Sequence, residues 1–158
     1  MRFFKYFIFV FLVFGCIPHQ KELEVYDFQG IDSFLHQKDS KVHVVNFWAT
    51  WCAPCVKELP YFEQLQENFE KDVEVLLISL DFPNQYETKL KPFLKKKQLK
   101  SKVIVLDDVN MNTWIPQIDS KWDGAIPVTL IYNKNKRQFY PQSFTYDELV
   151  NEVQKFLN

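Results

Sequence analysis

The segment at residues 48–55, with the sequence Trp-Ala-Thr-Trp-Cys-Ala-Pro-Cys, constrains the fold of this chain more than any other. It follows a strongly apolar run at residues 42–47, which predicts a buried strand, and a helical pattern begins at Pro54. Cys52 and Cys55 are therefore expected in the first turn of a helix, where partial positive charge and unpaired N–H groups favour a thiolate. Because the second cysteine lies one turn further along, the pair can close a disulfide, either as a local link or as a redox site.

The N-terminal residues predict a segment that directs export and is then removed. Arg2 and Lys5 provide a short positive region, and an unbroken apolar run follows at residues 6–14. That run is too short to cross a bilayer, which needs about 20 residues, and it has the form of a secretory signal. We therefore expect a signal peptide at residues 1–15.

Gly15 and Cys16 stand where this signal would be cut. They resemble the lipobox of bacterial lipoproteins, in which a small residue precedes a cysteine that is lipidated before cleavage, although Phe14 is bulkier than the usual residue at its position. The resemblance implies a lipid on Cys16 and a membrane-anchored protein of the cell envelope, facing the periplasm or the outside, with residues 16–25 as a tether. The alternative is an ordinary signal peptide, with Cys16 removed or left as a spare thiol.

Length and charge limit the classes of protein to which the chain can belong. Its 158 residues are enough for one domain with a proper core. A formal net charge of -1 gives no reason to expect nucleic acid as a partner. The run of lysines at residues 95–97 is explained most simply as the solvated face of a helix, with contact to a membrane or a partner as the alternative.

Apolar runs and helical periodicities alternate along the rest of the chain and predict an α/β protein. Thr145 and Glu148 form a capping box for the last helix. Pro92 is expected in the first turn of its helix, and Pro116 is expected to break a short helix. The predicted strands cover residues 25–28, 42–47, 73–80, 103–106, 128–132 and 137–140, the last two as a hairpin, and the helices cover residues 31–37, 56–71, 90–99, 111–118 and 145–157.

Residues 46–60, NFWATWCAPCVKELP, resemble the thioredoxin superfamily, and more narrowly its TlpA/ResA-like branch of exported thiol–disulfide reductases. A CxxC pair alone is a weak signal, but WCxPC after a buried strand, with Pro127 late in the chain before another strand, is specific. The resemblance covers roughly residues 26–158. It implies one thioredoxin-like domain, with a central mixed β-sheet flanked by helices and a C-terminal β-hairpin and helix.

The resemblance also implies a role for each residue of the motif. Cys52, at the exposed start of the helix, would be the attacking thiolate, and Cys55, shielded in the first turn, would resolve the mixed disulfide with the substrate. Ala53 and Pro54 occupy the dipeptide that helps to set the reduction potential. Some oxidising relatives carry a histidine there, and its absence favours a reductant.

A substrate-binding surface is expected around the cysteines. Pro127 matches the family's cis-proline, which faces the CxxC motif, and the backbone of Ile126 can pair with a substrate strand. Trp51 is expected at the rim, beside Ala53 and Pro54 of the motif. Two further predictions concern tryptophans: Trp48 packs below the motif, and Trp122 with Asp123 either lines the substrate groove or is an ordinary packed loop aromatic.

One residue differs from the thioredoxin pattern and favours the TlpA/ResA-like branch of the superfamily. Asn46 stands where many thioredoxins bury an aspartate, and an amide cannot move a proton. TlpA/ResA-like proteins instead carry a glutamate three residues after the second cysteine, the position of Glu58. Cys55 and Glu58 share a helix face, and a carboxylate in an apolar pocket has a raised pKa and can accept a proton from Cys55. The alternative is a solvated surface glutamate.

The expected activity is reduction of disulfides in exported proteins by a monomer that needs no bound cofactor. Electrons would come from a membrane thiol-transfer protein, and apocytochrome c is a substrate in the family. The alternatives are a disulfide oxidase or isomerase, a peroxidase of the peroxiredoxin kind, and a non-catalytic binding module. A zinc site is not expected, because there is no second CxxC and the three histidines are scattered.

Overall fold

The computed structural model describes residues 22–157. The predicted signal peptide, the lipidation of Cys16 and most of the tether lie outside these residues. The strands are β1 Val25–Tyr26, β2 Val42–Trp48, β3 Val73–Ser79, β4 Lys102–Leu106, β5 Val128–Tyr132 and β6 Arg137–Tyr140, and the helices are α1 Phe28–Leu35, α2 Ala53–Asn68, α3 Lys91–Lys97, α4 Met111–Ile118 and α5 Tyr146–Leu157. None of the helices within residues 22–157 has the length and hydropathy that crossing a membrane requires.

The strands form one mixed sheet in the order β1-β4-β3-β2-β5-β6. The first four are parallel to one another, whereas β5 pairs antiparallel with β2, and β6 antiparallel with β5. The predicted α/β fold with a mixed sheet and a C-terminal hairpin and helix is thereby confirmed. The sheet begins at Val25, the last residue of the expected tether.

Strand β2 lies in the middle of the sheet, and all seven of its residues are buried. Because side chains alternate between the two faces of a strand, Val44 packs in one core with α2 and α5, and Val45 packs in a second core with α1 and α4. The same alternation places Asn46 on the face of Val44, toward α2. The sheet is therefore covered on both sides, which explains the nearly continuous apolar run of β2.

The register of β5 determines which loops meet. Parallel strands end at the same edge of the sheet, so the residues after β2 and β3 lie together. Val128 pairs with Phe47, so antiparallel β5 begins at that same edge, which we call the reactive edge. Ile126 and Pro127, the two residues directly before β5, are thus brought to the segment that follows β2.

Local signals explain most element boundaries, but the strand predicted at residues 25–28 ends at Tyr26, and one predicted helix break is wrong. The Asp27 side chain accepts a hydrogen bond from the N–H of Gly30, so α1 begins at Phe28, earlier than expected. The capping box before α5 and the position of Pro92 in the first turn of α3 are confirmed. Pro116, however, does not break α4, which continues to Ile118; a proline removes one backbone donor, and burial of the apolar face of α4 offsets that loss.

Candidate active site

The two cysteines form a disulfide at the start of α2, with their Cα atoms 5.3 Å apart. Cys52 is the N-cap residue, and its Sγ accepts a hydrogen bond from the backbone N–H of Cys55 at 3.3 Å. The predicted position of the pair in the first turn of a helix is confirmed. Unpaired N–H groups and the helix dipole at this end favour negative charge on Cys52 once the disulfide is reduced.

The two sulfur-bearing residues differ in accessibility, but less than the sequence suggested. Cys55 is fully buried and Cys52 is 6% exposed, so the expectation that Cys52 lies exposed is wrong for this disulfide form. The carbonyl oxygen of Ile126 lies 3.7 Å from Cys52 Sγ and contributes to this cover. Cys52 is nevertheless the member of the pair with accessible surface, and Ala53 and Pro54 beside it are exposed.

The peptide bond between Ile126 and Pro127 is cis, as predicted. Pro127 is buried at the reactive edge, and Ile126 is half-buried beside it. The structure therefore brings both residues to the disulfide from a segment that is distant in sequence.

Trp122 helps to hold the segment that leads to Ile126 and Pro127. It is only 5% exposed and packs in the core on the side of α1 and α4, so it is a packed aromatic and does not line a groove. Its indole N–H donates to the carbonyl of Ala125 at 2.8 Å, and the N–H of Ala125 donates to Asp123 at 2.9 Å. Between them, Gly124 has a φ of 91°, which a glycine adopts without strain. These contacts hold the chain that leads into Ile126.

The aromatic residues of the motif lie on opposite sides of it, as expected. Trp51 is 50% exposed at the rim. Its ring stacks on that of Phe82, which is 56% exposed, with centroids 6.1 Å apart. Trp48 is fully buried below the motif and packs against Phe93 with ring centroids 5.5 Å apart. The stacked pair forms an exposed apolar surface at the reactive edge.

A buried carboxylate holds this surface in place, and sequence analysis missed it. Asp81 is 2% exposed, and its side chain accepts hydrogen bonds from the N–H of Thr50 at 3.0 Å, from the Thr50 hydroxyl, and from the Ser79 hydroxyl at 2.8 Å. Thr50 and Asp81 directly precede Trp51 and Phe82 in sequence, so this link joins the two loops that carry the aromatic pair. The only sequence signal was an aspartate that follows a buried strand.

Glu58 lies behind the disulfide and is 1% exposed, so the alternative of a solvated glutamate is wrong. Its Oε1 accepts a hydrogen bond from Asn46 Nδ2 at 3.0 Å, and its Oε2 accepts one from the N–H of Phe144 at 2.8 Å. Burial raises the pKa of Glu58 to about 7, because desolvation penalises the carboxylate more than the two N–H donors stabilise it. Glu58 can therefore gain or lose a proton near neutral pH.

Asn46 orients this glutamate, a role that the sequence did not reveal. Its Nδ2 also lies 3.1 Å from the hydroxyl of Thr129 and 3.4 Å from the carbonyl of Val128 on β5. Asn46 is thus a neutral donor in a fully buried site, where an aspartate would face the carboxylate of Glu58 with a like charge. The alternation of side chains along β2, which places Asn46 on the side of α2, is the sequence pattern that could have linked Asn46 to Glu58.

The group of described residues with possible metal-binding geometry lies at the other edge of the sheet. Asp39, His43 and Glu74 bring one ligand atom each to within 4.8 Å of one another. His43 pairs with Asp39 at 2.9 Å and stacks on Tyr132, and Lys41 lies 4.0 Å from Glu74. These contacts match the interpretation of His43 as a strand histidine near one end, and the group is separate from the cysteines.

Comparison with known proteins agrees with this architecture. A family model described as the AhpC/TSA family matches residues 19–137, which is most of the chain. The match thus covers the domain from β1 to the first residue of β6 and does not include α5.

Curated relatives match a shorter region around the motif. The chain is similar to the thiol-disulfide oxidoreductase ResA of Bacillus thuringiensis subsp. konkukian, with 36% identity over 86 residues, 54% of this chain and 42% of the relative. It is also similar to ResA of Halalkalibacterium halodurans, with 26% identity over 110 residues, 69% of this chain and 57% of the relative. The chain therefore spans about half of the length of these relatives.

Two solved structures share the fold of this chain. The thioredoxin-related protein from Neisseria meningitidis serogroup B matches with a TM-score of 0.62 and 24% identity, over 74% of this chain and 85% of that protein. A DsbF homologue from Corynebacterium diphtheriae matches with a TM-score of 0.61 and 20% identity, over 75% of this chain and 73% of that protein. The chain belongs to the AhpC/TSA family and is a TlpA/ResA-like member of the thioredoxin superfamily.

Proposed function

We propose that this protein is a thiol–disulfide oxidoreductase that reduces disulfides of exported proteins through Cys52 and Cys55. The observation that carries the proposal is the disulfide at the N-terminus of α2, in which Cys52 alone has accessible surface and Glu58 is buried behind it. The names of the curated ResA relatives support the same activity.

The reaction transfers two electrons from the dithiol of the protein to the disulfide of the substrate. In the reduced protein, the thiolate of Cys52 attacks one sulfur of the substrate disulfide, forms a mixed disulfide and releases a substrate thiolate. Cys55 then loses its proton to the Glu58 carboxylate and attacks Cys52 Sγ. The Cys52–Cys55 bond forms, the second substrate thiolate leaves, and the substrate is reduced as the protein is oxidised.

The surface around the disulfide is suited to an extended polypeptide. The half-buried Ile126 precedes Pro127 and lies against Cys52, so its backbone is placed to pair with a substrate strand. Trp51, Ala53 and Pro54 provide exposed surface on the other side of Cys52. In this proposal, the substrate segment that carries the target disulfide lies between these two sides.

The direction of exchange separates reduction from the oxidase or isomerase alternative. Residues 53–54 contain no histidine that would stabilise a thiolate. We therefore expect the cysteine pair to have an equilibrium reduction potential of roughly -270 mV, as in thioredoxin. A value of about -120 mV would indicate an oxidase. Electrons would come from a membrane thiol-transfer protein, and apocytochrome c remains a candidate substrate.

The description of the matching family leaves a thiol peroxidase as a second candidate. Against it, the cysteines form a local CxxC disulfide between a buried strand and a helix, which suits dithiol exchange. An assay of peroxide consumption by the reduced protein separates the two activities, since a disulfide reductase consumes little peroxide catalytically.

We also propose that the protein is anchored in the cell envelope by a lipid on Cys16, as the lipobox resemblance implies. Expression with a labelled fatty acid, followed by membrane fractionation, is expected to show label and protein together in the membrane fraction. The Cys16→Ala variant is expected to lose both. Label-free protein in the soluble fraction of the parent would reject the anchor.

The distinct roles of the two cysteines predict which variant traps a substrate. Cys55→Ser keeps the attacking thiol but lacks the resolving one, so mixing with a disulfide-bearing protein such as insulin should accumulate a mixed disulfide. Cys52→Ser should accumulate little, because Cys55 is fully buried. Non-reducing electrophoresis and mass spectrometry measure both adducts. Equal trapping by the two variants would contradict the assigned order of attack.

Loss of the Glu58 proton acceptor should slow exchange. Glu58→Gln keeps the shape of the side chain and one of its two accepted hydrogen bonds. We expect disulfide reduction near pH 7 to fall by about 10²-fold, a typical contribution of acid–base catalysis. The matched control is Glu67→Gln, on the exposed surface of the same helix. Stopped-flow measurement of the rate at which the mixed disulfide is resolved tests this expectation. Equal rates for the two variants would show that Glu58 does not act as the proton acceptor.

The raised pKa of Glu58 also predicts how stability depends on pH. Because this pKa moves from 4.5 in the unfolded chain to about 7 in the folded protein, the folded protein binds more protons between these values. The stability of the parent should therefore fall, relative to Glu58→Gln, by roughly 3 kcal/mol as the pH rises from about 4.5 to 7, with no further change above. Urea unfolding of the oxidised proteins measures the difference, and a difference independent of pH would contradict the shift.

A further inference from the structure

Large apolar side chains that stay exposed are concentrated at the reactive edge. Within residues 22–157 there are six of them, namely Val25, Trp51, Phe82, Val109, Met111 and Leu157. Four of the six follow the last residue of β2, β3 or β4 by no more than five positions. Single exposed apolar residues are ordinary on a protein surface, whereas a stacked pair beside a reactive group points to a bound partner. Trp51 and Phe82 are such a pair, because Trp51 directly precedes Cys52.

Phe82 projects from a backbone that is fixed in an extended conformation. It precedes Pro83, which opens a short 3₁₀ helix at Pro83–Gln85, and the residue before a proline is restricted to extended geometry. The φ and ψ angles of Phe82 are -74° and 149°, and its carbonyl accepts a hydrogen bond from the N–H of Gln85 at 2.8 Å. An exposed ring on a rigid backbone loses little conformational freedom when a partner binds.

The two loops that carry these rings are joined by several hydrogen bonds. The N–H of Leu80 donates to the carbonyl of Trp48 at 2.7 Å. Asp81 accepts from the N–H of Thr50 at 3.0 Å, from the hydroxyl of the same residue, and from the hydroxyl of Ser79 at 2.8 Å. Because it already has three donors and is only 2% exposed, the Asp81 carboxylate is not accessible to a ligand. Its effect on binding is therefore indirect and acts through the positions of the two rings.

We infer that Trp51 and Phe82 together bind an apolar side chain of the substrate polypeptide, and that Asp81 is the positioning residue of this site. The inference rests on the proposed reduction of disulfides through Cys52, and it adds the class of substrate. Cysteines and large apolar side chains are among the residues most often buried in folded proteins. A substrate that presents both together is therefore an exported polypeptide that has not finished folding.

The geometry of an extended chain predicts where this apolar side chain stands in the substrate. A segment that pairs with the backbone of Ile126 is a strand. In a strand, side chains two residues apart point to the same side and are separated by roughly 7 Å. Trp51 adjoins Cys52 in sequence, and its ring centroid lies 6.1 Å from that of Phe82. We therefore expect the apolar residue two positions from the substrate cysteine.

A pair of model substrates tests this site. Two short peptides differ only in carrying phenylalanine or serine two residues from their single cysteine, and each is supplied as its homodimeric disulfide, so that both sulfur atoms are equivalent. Acid quenching and chromatography give the rate constant for reduction of each peptide by the reduced full-length protein, after correction for the rates with dithiothreitol. The selectivity is the rate constant for the phenylalanine peptide divided by that for the serine peptide. We expect a selectivity of about tenfold for the parent.

Removal of one ring should abolish this selectivity. Phe82→Ser leaves the disulfide and Trp51 in place but takes away half of the stacked pair, so both peptides should be reduced at similar rates. The matched control is Leu157→Ser, another exposed apolar residue, at 38% exposure. It lies at the end of α5 beside Phe156, whose carbonyl accepts a hydrogen bond from Asn133 at the far end of β5. This control should keep the selectivity of the parent.

The positioning role of Asp81 is tested by the same ratio. Asp81→Ala removes the link between the loops and should lower the selectivity, and Thr50→Val, which lacks one donor to Asp81, should lower it in a protein with an intact carboxylate. Asp81→Asn should keep most of it, because the amide oxygen can accept from the Thr50 N–H and the amide N–H can donate to the Thr50 hydroxyl. A merely structural role of Asp81 would change both rate constants by the same factor and leave their ratio unchanged.

Three results would overturn the inference. The first is equal reduction of the two peptides by the parent, which would leave the proposed reductase activity intact. The second is a selectivity that persists in Phe82→Ser. The third is a parent that shows no selectivity but sediments as a dimer, with Phe82→Ser as a monomer, which would assign the aromatic pair to contact with a second copy of this chain. Reduction of neither peptide would instead contradict the proposed function, and this inference with it.

Discussion

The pairing of β2 with β3 on one side and with β5 on the other is the interaction on which the rest of the structure depends. It requires β2 to be buried on both faces and hydrogen-bonded along both edges. The parallel pairing places the cysteine motif and Asp81 at one edge of the sheet. The antiparallel pairing brings Pro127 to that edge, since Val128 lies opposite Phe47. Loss of either pairing would separate the groups that surround the disulfide.

The same pairing creates a small polar site inside an apolar core. Asn46 is buried in β2 and donates to Glu58, and Glu58 also accepts a hydrogen bond from Phe144 just before α5. Burying a carboxylate costs free energy unless it is protonated or hydrogen-bonded. Here both responses operate, since two N–H donors are present and the pKa is raised to about 7. Burial of Glu58 therefore lowers the stability of the fold near neutral pH and lets this carboxyl group gain or lose a proton there.

Much of this fold follows from the spacing of apolar residues and from local capping signals in the sequence. The apolar runs of β2 and β5 and the capping box at Thr145 were found where local physical chemistry predicts them. The errors arose where tertiary packing outweighs local preference. Pro116 lies inside α4 without ending it, because the apolar face of this helix is buried. Cys52 is covered by the backbone of Ile126, which is distant in sequence. The links from Asp81 to Thr50 and from Asn46 to Glu58 likewise join segments that no local pattern relates.

The sequence by itself predicted the class of fold, the disulfide exchange that we propose and the residues proposed to carry it. Two cysteines at a helix start, a glutamate one turn later and a late proline are local facts, because capping and side-chain periodicity act over a few residues. Tertiary structure alone decided how these residues meet. The register of β5 places Ile126 at Cys52, and burial sets the proton affinity of Glu58. These properties depend on distances between remote segments, which only the packed sheet determines.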